Sequence, residues 1–272
     1  MIKKIHQIWF QGEQNIPEKY HKYIQSVKDK NQDWTYTVYN ENDIIGYASK
    51  FSKKCEDTIK SYKHMHQKID LGRYLICYYE GGITVDIDSE CVRSFNEFLN
   101  NPLLKKYDIL LSKNLSIERC FEGFFASMYM ALKSSNYLNN SLIISHQSNS
   151  PVLKGLINHI IGLDSCGSFE NSFSCIEKTT GPVVFSNYMK SQKTVGYVPF
   201  EYISFSDDNN IKIPDMYLLH HVQLSWLNPV VKFMFVSYCK YNKFYIIDVL
   251  IVLILLLVIK KIYTLIKNII KK

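Results

Sequence analysis

The run Gly81-Gly82-Ile83-Thr84-Val85-Asp86-Ile87-Asp88 constrains this chain more than any other stretch, because an apolar strand that belongs in a core ends in two carboxylates. Entered through a Gly-Gly turn, such a strand reads as a central strand of an α/β sheet, and ligands gather at the carboxyl ends of these strands. The acids then sit at the mouth rather than inside. On extended chain both side chains of an Asp-x-Asp pair project to one face, so two hard oxygen donors converge where a divalent cation and a diphosphate can be held. Asp-x-Asp is also common in solvated turns, and the surrounding residues decide between the two readings.

A chain of 272 residues with 47% hydrophobic and 14% aromatic content can build a substantial core. Its formal charge of +7 is uneven. Residues 244–272 hold five lysines and one aspartate, which leaves +3 for the other 243 residues. That body carries no basic stripe of the kind nucleic-acid binding needs, so nucleic acid is excluded as a partner. Seven cysteines, an odd number without Cys-x-x-Cys spacing, argue against a zinc ribbon or a disulfide framework and for a reducing compartment. The start, Met1 to Phe10, lacks the apolar run and small-residue cleavage site of a signal peptide and reads as a first strand.

From Phe244 to Ile259 the chain is apolar except for Asp248, and Val249 to Ile259 is an unbroken aliphatic run. As helix this stretch spans about 24 Å against a hydrocarbon core of roughly 30 Å. Ile262, Tyr263, Ile266, Ile269 and Ile270 then recur at helical spacing, with Lys260, Lys267 and Lys271 opposite, so the apolar helix continues into a basic interfacial one. A buried C-terminal helix of the body is the alternative, but eleven aliphatic residues leave it no polar face. The expected division is a globular body, residues 1–243, and a membrane segment, residues 244–272, that crosses the bilayer once or lies in its interface. The terminal lysines favour the cytoplasmic side, and the body is expected there too.

Within the body, strand and helix signals alternate. Ile5 to Phe10, Thr35 to Tyr39, Ile83 to Asp86, Asp108 to Leu111 and Leu142 to Ile144 read as strands; a segment with Tyr20, Tyr23, Ile24 and Val27, then Gln67 to Tyr79 and Val152 to Ile161, read as helices. This order predicts an α/β fold, a single Rossmann-like domain with a mainly parallel sheet covered on both sides. No Gly-x-Gly-x-x-Gly, P-loop or Gly-x-Ser-x-Gly elbow is present.

Asp70 and Arg73 lie three apart on the helix that feeds the Gly-Gly turn, so they share a face. They read either as a surface ion pair or as part of the cleft, where the arginine neutralises phosphate and the aspartate accepts sugar hydroxyls. Trp9, near the end of the first strand, reads as core or as a platform for a nucleobase. His220 and His221 precede Ser225-Trp226; an imidazole and a hydroxyl can complete a metal site around Asp88, and the indole N–H can bind a phosphate oxygen. Adjacent histidines do not both point into one site easily, so one at most is a direct ligand. Thr179-Thr180-Gly181-Pro182 reads as a turn carrying two hydroxyls, Asn140 as a residue preceding a strand, and His64 and His66 as surface residues.

In order, Ile5-His6-Gln7-Ile8-Trp9, Asp33-Trp34, Asp70-Leu71-Gly72-Arg73-Tyr74, Gly81 to Asp88, Asn140 with Pro151, Thr180-Gly181-Pro182, and His220-His221 with Ser225-Trp226 resemble the DXD-containing sugar transferases. That family includes the yeast initiating α-1,6-mannosyltransferases, the inositolphosphoceramide mannosyltransferases and many capsular or viral enzymes. The resemblance runs from the first strand to about residue 226. It implies a GT-A fold, a UDP- or GDP-sugar donor, Mn2+ or Mg2+ on the Asp-x-Asp pair, and retaining transfer of a hexose to a glycan, glycolipid or glycoprotein acceptor. It further implies catalytic roles for Asp70, Arg73, Asp86 and Asp88. Donor contacts fall to Trp9, Asp70, Arg73, Tyr74, Asp86, Asn140, Ser225 and Trp226, and metal contacts to Asp86, Asp88, His220 and His221. Thr84 departs from the family, which usually has an aromatic residue there. Two other classes compete: a membrane-anchored adaptor that kept the fold without turnover, and a metal-dependent phosphodiesterase or nucleotidyltransferase. The first should have lost these acids, and the second usually clusters more of them, with Glu90 the one close candidate.

Overall fold

A computed structural model of the chain describes residues 2–99, 106–113, 138–164, 166, 172–198, 203–205 and 216–221. All of them fall in one unit, Met1–Ser116 with Asn136–Leu227; the second unit, Ile117–Ser135 with Asn228–Lys272, lies outside the described residues.

The elements follow from local sequence. Strand β1 (Lys4–Ile8) ends two residues before Phe10, where the Trp9 carbonyl accepts from Gly12 N in a turn that holds Gly12 at φ +92. Helix α1 (Glu18–Lys30) buries Tyr20, Tyr23, Ile24 and Val27, the apolar stripe its spacing predicts. After β2 (Thr35–Tyr39), Asn40 caps α2 (Glu41–Phe51) in a reciprocal box with Asp43. Then come α3 (Lys53–Ser61) and α4 (Met65–Glu80). Helix α4 buries ten of its 16 residues, Asp70 and Arg73 included, and is the central helix of the fold.

Gly81 and Gly82, at φ +64 and +77, end α4 and turn the chain into the fully buried β3 (Gly82–Val85). A Cβ at Gly82 would lie 2.3 Å from the Lys4 carbonyl oxygen. Gly82→Ala therefore meets both an unfavourable backbone region and a rigid neighbour, and should cost about 3 kcal/mol or more. Thermal denaturation should show a fall of about 10 °C; a midpoint within 2 °C of the parent would contradict this account of the turn.

The chain continues through β4 (Ser89–Cys91), α5 (Phe95–Leu99), β5 (Ile109–Lys113), β6 (Leu138–Ser145), α6 (Pro151–Ile160), α7 (Ser172–Thr179), α8 (Pro182–Met189), β7 (Val195–Val198), β8 (Ile203–Phe205) and β9 (Leu218–His220). Six strands form one sheet in the order β2-β1-β3-β6-β5-β7. It is parallel except at β6, which runs against both β3 and β5. Tyr74, Leu75 and Phe185 pack with Ile143 and Leu111 in one core cluster, and Val27, Trp34 and Phe95 pack with Ile5, Ile83 and Leu110 in another. The predicted α/β class and the alternation of helices and strands hold.

A second sheet, β4-β9-β8, was not foreseen, because its three-residue strands are too short to show a period. Asn140 lies inside β6 rather than before it. Cys166 and Cys175 form a disulfide, against the expectation of a reducing compartment; their spacing of nine residues fits no motif that could have flagged it. Among the described residues no helix is long and apolar enough to cross a membrane, and the expected membrane segment 244–272 lies outside them.

Candidate functional site

From β1 the chain passes to β2 on one side and returns to β3 on the other, so the crevice between the carboxyl ends of β1 and β3 is the switch point of the sheet. Asp86 and Asp88 leave β3 there. The Asp86 amide donates to the Ser141 carbonyl (3.1 Å), and the Asp86 carbonyl accepts from Ser89 N (3.2 Å), a turn that carries the chain into β4. Strand β4 pairs antiparallel with β9, which sets His220 opposite Ser89. His220 Nε2 then lies 3.0 Å from Asp88 Oδ1 and 3.4 Å from Asp86 Oδ2. One ligand atom from each of the three residues falls within 4.8 Å of the others, as a shared cation requires. Two carboxylates and one imidazole suit Mn2+ better than Mg2+, which prefers oxygen alone. Burial works against a charge on His220, yet Asp88 and Asp86 outweigh it and push the imidazole up to about 10.

Arg73 extends this cluster into the core. Arg73 is 7% exposed, and its guanidinium donates to the Asp86 carboxylate and to the Asn140 carbonyl. Asp70, one helical turn back, accepts from Asn140 Nδ2 (2.9 Å) and from the Thr180 hydroxyl (3.2 Å). Burial pushes the Asp70 carboxyl up to about 7, against the pull of Arg73. Both partners of Asp70 come from elements distant in sequence: Asn140 from β6, and Thr180 from the turn between α7 and α8. The surface ion-pair reading of Asp70 and Arg73 is thereby replaced by a buried network that ends on the Asp-x-Asp pair.

The remaining expectations sort by position. Tyr74 is fully buried; its phenol donates to the Thr180 carbonyl (2.8 Å) and accepts from Asn140 Nδ2 (2.9 Å), so it supports the network from behind and offers a donor no surface. His221 faces away from the acids. Its Nε2 meets Glu90 Oε2 at 2.9 Å and its ring stacks on Tyr23 at 4.3 Å, because successive side chains leave a strand on opposite sides. Of the two histidines, only His220 joins the cluster. Trp9 is half-buried and packs against Tyr20, with its indole N–H given to the Asn15 carbonyl (3.1 Å). Thr84 is buried in β3 between His6 and Ile143 and lines no open wall. Ser225 and Trp226 lie outside the described residues.

Two contributors were missed. His66, read as a surface residue, is half-buried; burial holds it below the usual imidazole range while Asp86 pulls it up and Arg73 down. Its spacing of four and seven residues from Asp70 and Arg73 would have placed it on their face of α4. Gln7, quoted in the motif without a role, is fully buried and donates from Nε2 to the Asp86 carbonyl at 2.9 Å.

Residues 17–109 match the model of the glycosyltransferase sugar-binding region containing DXD motif, a span that includes Asp70, Arg73, Asp86 and Asp88. An uncharacterised glycosyltransferase of Acanthamoeba polyphaga mimivirus is 26% identical over 236 residues, 82% of each chain. Inositol phosphoceramide mannosyltransferase 1 of Schizosaccharomyces pombe is 26% identical over 50% of this chain and 43% of its own length. The initiation-specific alpha-1,6-mannosyltransferase of Candida albicans is 32% identical over 42% of this chain and 30% of its own length. The chain thus matches less than half the length of either fungal relative. With a matched sugar-binding region around the acidic pair and relatives named as glycosyltransferases, the chain is similar to the glycosyltransferases that carry the DXD region.

Proposed function

We propose that this protein transfers a hexose from a UDP- or GDP-sugar to a glycan, glycolipid or glycoprotein acceptor, with retention at the anomeric carbon and with a GT-A arrangement of its body. The observation that carries the reading is the buried line of charge from Asp70 through Arg73 to Asp86, Asp88 and His220. Asp86, Asp88 and His220 would hold the cation, Mn2+ in preference to Mg2+. When bound, the ion supplies positive charge that stabilises the departing diphosphate.

The side chains do the rest. Arg73, fixed by Asp86 and Asn140, keeps a permanent positive charge beside the metal acids and stabilises negative charge as the bond to the leaving oxygen breaks. Asp70 accepts hydroxyl hydrogen bonds of the donor sugar, and Trp9 offers an aromatic face to the base. The acceptor hydroxyl attacks the anomeric carbon from the side the diphosphate leaves, and its proton departs with the diphosphate. No protein nucleophile is needed.

Residues 1–243 would be the transferase and residues 244–272 its attachment to a membrane. The Cys166–Cys175 disulfide favours an oxidising compartment for the body over the cytoplasmic side expected from the terminal lysines.

The test is metal-dependent donor hydrolysis. Purified protein with a panel of UDP- and GDP-sugars should release nucleoside diphosphate in the presence of Mn2+ and stop when chelator is in excess. GDP-mannose belongs first in the panel, since two relatives are named for mannosyl transfer. Release at the same rate in excess chelator would overturn the metal-dependent reading.

A further inference from the structure

We infer that Gln7 is a positioning residue for the cation site, acting through the peptide of Asp86 and held in turn by Tyr36. The inference rests on the proposed metal-dependent transfer. Strand β1 pairs with β2 along its whole length, through Ile8 and Tyr39, but with β3 only at Ile5↔Ile83 and His6↔Thr84. Beyond Thr84 the two strands part. This parting opens the crevice at the switch point, and it deprives the end of β3 of a backbone partner on the β1 side just before the metal acids begin.

The side chain of Gln7 fills that gap. Its Nε2 donates to the Asp86 carbonyl at 2.9 Å, and its Oε1 accepts from the Tyr36 hydroxyl. Tyr36 stands on β2, so three strands are tied across the crevice floor. The amide is fully buried, with one contact for its donor and one for its acceptor, and the Asp86 carbonyl, which can only accept, fixes which end of the amide faces it while Tyr36 holds the other end. With Asp86 N bonded to Ser141 and Asp86 O bonded to both Ser89 and Gln7, the peptide groups around Asp86 are held on both sides. What remains free is the side-chain rotation that brings the carboxylate to Arg73 or to a cation. On the opposite face of β1, His6 Nε2 lies 2.8 Å from the Gly81 carbonyl. Successive residues of one strand therefore hold the entry and the exit of the next.

A residue that orients a ligand through its backbone acts on affinity for the ion more than on survival of the fold, and supporting contacts of this kind typically change metal affinity by 10- to 100-fold. The probe is Mn2+ alone, followed by the electron paramagnetic resonance signal of the free ion, with thermal melting as the control for folding. Gln7→Leu should weaken Mn2+ binding by about 10-fold or more. Tyr36→Phe keeps the amide but removes the contact that anchors its oxygen, and should weaken binding by about 3-fold with a near-parental melting temperature. Tyr36 lies on an edge strand, so this second variant decides the matter should Gln7→Leu fail to fold. Parental Mn2+ affinity in folded Gln7→Leu, or in Tyr36→Phe where Gln7→Leu does not fold, overturns the positioning role and leaves the metal reading intact. Absence of Mn2+ binding by the unaltered protein overturns both.

Discussion

Asp88→Asn should lower Mn2+-dependent release of nucleoside diphosphate by about 100- to 1000-fold while leaving the fold in place, the range expected when one preorganised electrostatic contact to a developing charge is removed. The asparagine is close in shape to the aspartate and can still accept from His220 Nε2 at the position where Asp88 Oδ1 stands now, 3.0 Å away. The backbone pairing of Asp88 with His221 does not involve the side chain. What disappears is one of the two negative charges that draw a cation to this corner. Loss of that charge should also lower the pKa of His220, since Asp88 is the largest of the influences that raise it. The rate of donor hydrolysis, read against Mn2+ concentration, measures the effect, and saturation should move to much higher metal. Unchanged turnover at parental metal requirement would sink the assignment of Asp88 as a ligand.

Asp70→Asn is expected to separate activity from stability. Burial raises the Asp70 carboxyl from 3.8 to about 7, so between these values the folded protein holds a proton that the unfolded chain has released. Ionisation of Asp70 therefore opposes folding increasingly as pH rises from about 4 to about 7, and the full opposition persists above that. Asparagine cannot ionise. The variant should melt near the parent at pH 4 and above it at pH 8, with the gap opening between the two, while its amide oxygen and the rotatable Thr180 hydroxyl keep the network bonded. Donor hydrolysis at pH 8 should fall by about 100-fold, because the carboxylate proposed to accept sugar hydroxyls is gone. A variant less stable than the parent by the same margin at pH 5 and pH 8 would show that Asp70 is needed as a charge partner of Arg73. Full activity would remove it from the donor site.

Local periodicity made much of the fold legible. Thr35–Tyr39 is a strand over the predicted residues, and Tyr20, Tyr23, Ile24 and Val27 are the buried stripe of α1. Asp70, Arg73, Asp86 and Asp88 converge because a helix, a tight turn and a strand follow one another without interruption, so the site's centre is short-range information. What was not legible depends on pairing across long distances. Asn140 reads as a residue before a strand until β6 is inserted antiparallel between β3 and β5 with Asn140 inside it. The choice between His220 and His221 is a matter of strand phase, settled by the register of β9 on β4. Gln7 is chemically quiet in the sequence, and its meaning comes from a contact 79 residues away.

Helix α4 is both the central helix of the fold and the carrier of Asp70 and Arg73. Catalytic groups commonly sit on parts that loosen before the rest, which lets activity fade ahead of unfolding. Here the charged pair has no such independence: to release Arg73 from Asp86 and Asn140 by local opening, the molecule must also withdraw Leu71, Leu75 and Ile76 from its interior. For the proposed donor pair, warming gives an all-or-none loss, and activity during heating becomes a count of intact molecules rather than a gauge of how far each has softened.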